Sequence, residues 1–256
     1  MLLAVDIGNT NVKLGVFDGD RIEATWNLAT GIHATSDEYG AVLLSLMERR
    51  GILPSRLSGV ALCGVVPPLT HTFVQLCKKY LDAKPLVVEA GVKTGMRICL
   101  DNPREVGPDR VVNAVAAQNL YGKPLIIIDL GTATTFDVVS EEGDYLGGAI
   151  APGIGIASEA LFARTAVLPR IELVRPKHVI GRNTISAMQS GIIFGYTDLI
   201  EGMIRRIEQE LGSKVKVIAT GGQAYPFAED IEAIDVVNPN LTLIGLRLIY
   251  DMNKEQ

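Results

Sequence analysis

Two aspartates stand directly after short apolar runs, and each is followed by glycine and small polar residues. Asp6 ends the run Leu2–Val5 and begins Asp-Ile-Gly-Asn-Thr-Asn, and Asp129 ends the run Leu125–Ile128 and begins Asp-Leu-Gly-Thr-Ala-Thr-Thr. Glycine lets backbone N–H groups approach an anion without a Cβ in the way. Hydroxyl and amide side chains can donate to phosphate oxygens, and carboxylates can hold a cation that neutralises the phosphate. The two segments therefore predict a phosphate clamp, with ordinary tight hairpins as the alternative.

A third segment offers a place for a nucleotide base. The apolar run at 217–219 is followed by Thr220-Gly221-Gly222, and paired glycines let a planar base lie against the backbone. Other nucleotide-binding motifs fail, because the chain has no GxxxxGK[ST] sequence and Gly153-Ile-Gly155 lacks the third glycine of GxGxxG. The GxSxG sequence of serine hydrolases is absent as well.

The densest polar stretch, residues 101–110, precedes an apolar helix predicted over Val111–Leu120. Asp109 falls near the start of this helix, where the helix dipole stabilises a carboxylate, and Arg110 follows it. A carboxylate beside a guanidinium can take a proton from a hydroxyl and bind an acidic substrate. An N-terminal cap would also use aspartate, so spacing alone does not choose between catalysis and capping.

The elements that must position these residues occur twice. Each half shows an apolar strand, an Asp-x-Gly turn, a second strand, a Gly-Asp turn and a third strand, and Asp6 and Asp129 lie 123 positions apart. The repeat predicts an N-terminal domain over 1–116 and a C-terminal domain over 117–240. A final helix over about 241–256 is a candidate to pack back on the first domain.

Apolar residues at helical spacing predict helices in both halves, and strands alternate with them. Helices are predicted over Asp37–Arg50, Thr70–Leu81, Val111–Leu120, Asn183–Leu211 and about Leu241–Met252. Further strands are predicted over Leu57–Val66, Lys84–Glu89 and Lys214–Ala219. This alternation implies an α/β protein with mixed sheets flanked by helices.

Composition excludes several classes of protein. Hydrophobic residues make up 48% of 256, which is enough for a sizeable core and excludes wholesale disorder. The net charge is −5 and no basic tract exists, so we expect no nucleic-acid partner. The segment MLLAVDIGNT lacks the basic start of a signal peptide and no apolar run is long enough to span a bilayer, so we expect no membrane partner. The three cysteines form no CxxC motif, which favours a reducing compartment.

The chain resembles the type III pantothenate kinase family over essentially all of its length. The motifs that carry the resemblance are Asp6-Ile-Gly-Asn-Thr10, Gly107-Pro-Asp-Arg110, Asp129-Leu-Gly-Thr-Ala-Thr134, Gly147-Gly-Ala-Ile-Ala-Pro-Gly153 and Gly181-Arg-Asn-Thr184. Their order is specific to the family, whereas the first turn alone would indicate only the actin/hexokinase-like ATPase superfamily. The resemblance implies two duplicated ribonuclease-H-like (actin-like ATPase) domains.

The resemblance also implies an ATP-dependent kinase that phosphorylates the primary hydroxyl of pantothenate to 4'-phosphopantothenate, the first step of coenzyme A synthesis. Asp109 is then the proton acceptor, Asp129 binds a monovalent cation (K+ or NH4+), and Asp6 lies near Mg2+. The implied ATP and phosphate contacts are Asp6, Ile7, Gly8, Asn9, Thr10, Asn11, Val12, Lys13 and Thr132. The implied pantothenate contacts are Gly107, Pro108, Asp109, Arg110 and Thr184.

Family members are cytoplasmic homodimers, so the resemblance implies the same for this chain, with Thr184 beside the dimer interface. Two positions depart from the family pattern. Leu100 stands where many members have a tyrosine that contacts substrate, so we expect an altered pocket wall there. Pro108 replaces a more frequent alanine, which removes one backbone N–H.

Two other functions stay open at this stage. One is a different small-molecule kinase of the same superfamily, acting on a sugar or on acetate. The other is a non-catalytic ATP-binding regulator that has kept the fold. The intact Asp6, Asp109, Asp129 and Thr184 argue against the regulator.

Overall fold

The computed structural model describes residues 1–223, 228 and 231–254. The chain forms two compact units. Unit 1 combines Met1–Leu120 with Asn240–Gln256, and unit 2 is Tyr121–Pro239. Within the described residues no helix combines the length and the apolar content needed to cross a bilayer.

Each unit contains a five-stranded mixed sheet. The strands of unit 1 are β1 (Leu2–Ile7), β2 (Asn11–Asp18), β3 (Arg21–Ala29), β4 (Gly59–Gly64) and β5 (Leu86–Val87). Those of unit 2 are β6 (Leu125–Leu130), β7 (Ala133–Val139), β8 (Tyr145–Pro152), β9 (Lys216–Thr220) and β10 (Val236–Val237). The strand orders are β3-β2-β1-β4-β5 and β8-β7-β6-β9-β10, so the two sheets have one topology. The prediction of a duplicated plan with mixed sheets is confirmed.

The described residues form six α-helices and two short 3-10 turns, at 54–56 and 103–105. The helices are α1 (Ser36–Arg49), α2 (Pro67–Tyr80), α3 (Pro108–Tyr121), α4 (Ile154–Arg164), α5 (Thr184–Leu211) and α6 (Leu241–Asn253). α2 and α3 each begin three residues earlier than predicted, because proline fits the first position of a helix, where its missing N–H is not needed. α4 was not predicted at all.

The side chains of β1 alternate between the two faces of the first sheet, and this determines the face on which Asp6 lies. Leu3, Val5 and Ile7 pack with α1 and α2 in one buried cluster. Leu2 and Ala4 point the other way and pack with α3 and α6. Because side chains alternate along a strand, Asp6 leaves the sheet on the α3 face.

The closing helix α6 completes unit 1. Leu243, Leu246 and Ile249 of α6 are fully buried against the first sheet. Thr242 Oγ1 donates a 2.8 Å hydrogen bond to Oδ1 of the buried Asn113 on α3. The face of the sheet that carries Asp6 is therefore covered by α3 together with α6.

In unit 2, α5 covers one face of the second sheet. Ile200 and Ile204 of α5 are buried against Ile126 and Ile128 of β6. Asp129, one residue further along β6, lies on the opposite face by the same alternation. The two Asp-x-Gly turns thus occupy equivalent positions in the two sheets.

Candidate active site

Three side chains form a row across the first sheet at the end of β1. Asp6 is directly opposite Lys13 of β2 and directly opposite Cys63 of β4. The Cys63 thiol donates to Oδ1 of Asp6, with a Sγ–Oδ1 distance of 3.4 Å. Cys63 was not predicted as a site residue, although it follows an apolar run just as Asp6 does, because the pairing of β4 with β1 is a long-range contact that sequence does not reveal.

Asp109 lies in the first turn of α3, on the same side of the sheet. Gly107 O accepts from the backbone N–H groups of Arg110 and Val111, so Gly107 caps the helix. The Asp109 carboxylate folds back over this cap and accepts from backbone amides at the helix start. A Cβ on Gly107 would lie 2.5 Å from Asp109 Oδ1, so glycine makes room for the carboxylate. Pro108 is the first residue of α3, so its missing N–H costs the helix no bond.

Burial raises the pKa of both Asp6 and Asp109. Burial raises the pKa of Asp6 to about 6, and the charge of Asp109 adds to the rise, while Cys63 and Lys13 oppose it. Burial also raises the pKa of Asp109, opposed by the backbone amides of α3 and by Arg110. Burial next to these carboxylates raises the pKa of Cys63 well above its usual range, so Cys63 stays a neutral donor. Carboxylates with raised pKa values are suited to bind a cation or to accept a proton.

The first turn closes tightly after Asp6. Gly8 N–H donates to Asn11 O at 3.0 Å, and residues 9–11 are exposed. Ile7 and Val12, which pair across the turn, are fully buried in the hydrophobic core. Of the predicted phosphate segment, Ile7 and Val12 can therefore offer a ligand only backbone groups.

The second turn is one residue shorter. Leu130 pairs with Thr134, and Gly131 N–H donates to Ala133 O at 3.0 Å. Thr132 is exposed at the tip, and its carbonyl accepts from the N–H of Gly153, which caps α4. The turn that presents Thr132 is thus held by the start of α4.

Glycine backbone lies close to the carboxylate of Asp129. Asp129 pairs with Thr135 on one side and with Thr220 on the other. Gly221 has φ +98°, and a Cβ there would lie 2.5 Å from Asp129 Oδ1 and 2.6 Å from the Leu130 backbone nitrogen. Only glycine fits this position. Of the predicted base-binding glycines, Gly221 therefore lies against the Asp129 turn and Gly222 borders open space, while residues 224–227 beyond them are outside the described part of the chain.

Thr184 opens α5 and lines a separate cavity of unit 2. Asn183 caps the helix by accepting from Ser186 N–H at 2.9 Å. The cavity is about 650 Å³ in volume. Its lining includes Gly181, Arg182, Asn183 and Thr184 together with Leu161 of α4 and Met188. Because α4 starts at the second turn and reaches this cavity at Leu161, one helix connects the surroundings of Thr132 and of Thr184.

The structure thus groups the predicted residues into three places. Asp6, Lys13, Asp109 and Arg110 lie together in unit 1. Asp129 and Thr132 lie at the second turn, and Thr184 lies in the cavity beside α5. Leu100 is half-buried, ahead of the 103–105 turn.

Known proteins match this chain over nearly its whole length. The model of a family described as type III pantothenate kinase matches residues 2–206. A protein of that name from Dehalococcoides mccartyi is 54% identical over 253 residues, which cover 99% of this chain and 98% of that protein. One from Geobacillus kaustophilus is 50% identical over 256 residues, covering 100% and 99%.

Solved structures agree on the architecture. The activator of 2-hydroxyisocaproyl-CoA dehydratase from Clostridium difficile, with bound ADPNP, matches with a TM-score of 0.55 at 14% identity, covering 100% of this chain and 98% of that one. At this identity the likeness shows the fold alone. The expected actin-like ATPase fold is confirmed.

Proposed function

This chain belongs to the type III pantothenate kinase family, and on that premise we propose which of its residues transfer phosphate to pantothenate. The family phosphorylates pantothenate in the first step of coenzyme A synthesis, and the chain is a kinase that uses ATP and a divalent metal. A sugar or acetate kinase and a non-catalytic regulator are thereby set aside. One observation carries the assignment of roles: Asp6 and Asp109, far apart in sequence, converge on one face of the first sheet.

Residues Asp6–Lys13 form the first phosphate segment, and Thr132 is the ATP contact from unit 2. Support comes from the two turns, each of which is closed by a glycine N–H and places exposed small polar residues at the end of a strand. Lys13, opposite Asp6, adds a positive charge for a phosphate oxygen. Phosphoryl transfer proceeds through a loose transition state, so positioning and charge neutralisation supply most of the catalysis.

Asp6 fits a magnesium ligand. Its raised pKa marks a carboxylate whose charge lacks full compensation within the protein, and a cation would supply it. Among the described residues no group of three or more His, Cys, Asp or Glu side chains is arranged to hold a metal ion by itself. That suits Mg2+, which is commonly bound by one or two carboxylates, water and substrate phosphates. Bound there, Mg2+ would neutralise the phosphates of ATP.

Asp129 fits the monovalent cation (K+ or NH4+). A Cβ at Gly131 or Gly221 would lie 3.1 or 2.5 Å from its Oδ1, so the two glycines leave room beside this carboxylate oxygen. Potassium is bound by oxygen ligands, among them backbone carbonyls. A carboxylate with glycine backbone close beside it is therefore an appropriate donor for an ion of one charge.

Asp109 aligns the primary hydroxyl of pantothenate and accepts its proton. Burial raises its pKa, and this makes it a stronger base than an exposed aspartate. The cap at Gly107 and the rigid Pro108 fix its direction. Arg110 pairs with the carboxylate of pantothenate, so Gly107–Arg110 bind substrate as one unit, and Thr184 adds a contact from α5.

The test is Asp109→Asn, with ADP release measured in the presence of ATP, pantothenate and Mg2+, with and without potassium. We expect kcat to fall by about 100-fold or more, because general-base catalysis contributes roughly 10²–10⁴. ATP affinity should be retained. The matched control is Asp101→Asn, an exposed aspartate of the same polar stretch. Turnover of Asp109→Asn near the wild-type level would show that Asp109 is not the base.

The assembly we propose is a homodimer in the cytoplasm. Membership of the family is the basis for both. Additional support for the dimer comes from exposed apolar side chains in unit 2 close to α5. Val167, Val179, Ile180 and Ile185 are 86%, 68%, 83% and 50% exposed, and a second copy would cover such residues.

A further inference from the structure

Thr30, to which no role has been assigned, makes hydrogen bonds to the first phosphate turn. Thr30 directly follows β3 and makes two hydrogen bonds to the turn. Its Oγ1 donates to Gly8 O at 2.7 Å, and its N–H donates to Thr10 O at 3.0 Å. Both acceptors are carbonyls of the segment that presents residues 9–11.

These two bonds fix the direction of the amides in the turn. In a trans peptide unit the C=O and the following N–H point to opposite sides. With Gly8 O and Thr10 O turned towards Thr30, the N–H groups of Asn9 and Asn11 are directed away from β3. Anion binding by a turn depends on that common direction of its N–H groups.

Thr30 is in turn fixed by the core of unit 1. The Tyr39 hydroxyl donates to Ala29 O at 3.1 Å and accepts from Gly31 N–H at 2.9 Å, so it holds the residues on both sides of Thr30. The Tyr39 side chain is buried, and its ring lies 4.9 Å from that of Phe73 on α2. A continuous set of contacts therefore runs from a core aromatic pair through Thr30 to the turn.

We propose that Thr30, braced by Tyr39, is a positioning residue that orients the backbone N–H groups of Asn9 and Asn11 and thereby sets the affinity for the phosphates of ATP. This inference rests on the proposed phosphate role of the first turn. Thr30 touches neither substrate; it acts through Gly8 and Thr10.

Two variants, which we call the brace variants, remove the hydroxyl hydrogen bonds of Thr30 or of Tyr39 with little change in side-chain volume. Thr30→Val loses only the hydroxyl bond, and Tyr39→Phe loses both backbone contacts of the ring oxygen. We expect KM for ATP to rise by about 3- to 10-fold in each, because a hydrogen bond contributes about 1 kcal/mol. KM for pantothenate should change by less than about 2-fold, since the first turn binds only nucleotide. Thr30→Ser, which keeps the hydroxyl, should restore the wild-type KM.

Matched controls lie in the same unit. Thr72→Val removes a hydroxyl bond to Pro68 O within α2, and Tyr80→Phe removes a bond to Asp37. Neither touches the turn, so both should leave KM for ATP unchanged. Calorimetric titration with ATP and with adenosine supplies a readout independent of turnover. The brace variants should lose affinity for ATP and keep their affinity for adenosine.

Asp6→Asn distinguishes a failure of the positioning role of Thr30 from a failure of the phosphate role of the first turn. If Asp6→Asn loses ATP affinity while Thr30→Val and Tyr39→Phe bind ATP as the wild type does, the positioning role is wrong and the proposed function stands. If all three bind ATP as the wild type does, the phosphate role of the first turn is wrong as well. If Thr30→Val does not fold, Tyr39→Phe still tests the positioning role of Thr30. An unchanged KM for ATP in Tyr39→Phe would show that this role is wrong.

Discussion

Asp6 occupies a position that costs the free protein stability. Its pKa is raised from 3.8 to about 6 by burial and by Asp109. An acid whose folded pKa is raised stabilises the fold fully below its unfolded pKa, and this contribution is lost as the pH rises through the folded value. At neutral pH the ionised Asp6 therefore destabilises the free protein. The proposed magnesium ion would offset this cost by neutralising the same charge.

Asp6→Asn should therefore stabilise the free protein while abolishing its function. Without nucleotide or Mg2+, we expect its free energy of unfolding at about pH 8 to exceed the wild-type value by on the order of 2 kcal/mol. The gap should close as the pH falls from about 7 to about 4, where the wild-type carboxyl becomes protonated. Urea unfolding across this range measures it. Asp18→Asn, at an exposed strand end, is the control, and a variant no more stable than wild type at about pH 8 would contradict the prediction.

Local sequence predicted some of the site residues and not others. Asp109 and Gly107 could be selected because a cap, a glycine and a helix start are adjacent in the chain. Cys63 could not, because its contact with Asp6 depends on the parallel pairing of β4 with β1. Thr30 was equally hidden, since its partners Gly8 and Thr10 are about twenty residues away and only the β2–β3 register brings them together.

At the scale of elements, the two hairpins share a plan and differ in their turns. The first turn has four residues between Ile7 and Val12, and the second has three between Leu130 and Thr134. The surroundings also differ: Asp6 is flanked by Lys13 and Cys63, whereas Asp129 is flanked by Thr135 and Thr220. Duplication thus supplied two carboxylates at equivalent strand ends with different neighbours, which fits two different cations.

Gly221→Ala tests whether the glycine after β9 leaves the Asp129 carboxylate the room it needs to bind a monovalent cation. The new Cβ would meet Asp129 Oδ1 at 2.5 Å, and φ +98° is unfavourable for alanine. We expect a loss of stability of more than about 1 kcal/mol and a weaker activation by potassium. Activity measured against potassium concentration, with thermal unfolding, checks both.

Gly222→Ala is the matched control for that change. Its Cβ would meet nothing within 4 Å, so we expect wild-type stability and wild-type activation by potassium. If Gly221→Ala is activated by potassium as the wild type is, the proposed role of Asp129 as the ligand of the monovalent cation is wrong.

Elements with strong periodicity were predicted best. The long α5 matches the predicted Asn183–Leu211 to within one residue, because its apolar positions repeat over many turns and Gly212 ends it in the left-handed conformation. α4 was missed, since Ile154–Arg164 has only one buried residue and so lacks an amphipathic pattern. β10 has two residues, too few for a pattern to emerge.

At the scale of the whole molecule, exposed apolar side chains concentrate in one part of unit 2. Five valine and isoleucine residues between 167 and 185 are at least half exposed. Isolated exposed apolar residues are common, but a group of them favours an interface between proteins. We attribute the group to the proposed homodimer.

Ile180→Glu should convert the dimer to a monomer. Placing a charge at a residue that is 83% exposed in the single chain does not disturb the fold, but burying that charge in an interface is costly. Light scattering should show twice 27.5 kDa for the wild type and 27.5 kDa for the variant. Leu53→Glu, at a 60% exposed position of unit 1, should remain dimeric. A wild-type mass of 27.5 kDa would refute the dimer.

The position of α6 in the chain sets an order of events during translation. Domains generally fold as units while the ribosome is still adding residues. Unit 1 cannot finish in that way, because Leu243, Leu246 and Ile249 leave the ribosome only after all of unit 2. Unit 2 can fold first, and the side of the first sheet that carries Asp6 stays incompletely covered in the nascent chain until α6 arrives. The side of the first sheet that carries Asp6 is therefore the last part of unit 1 to be completed.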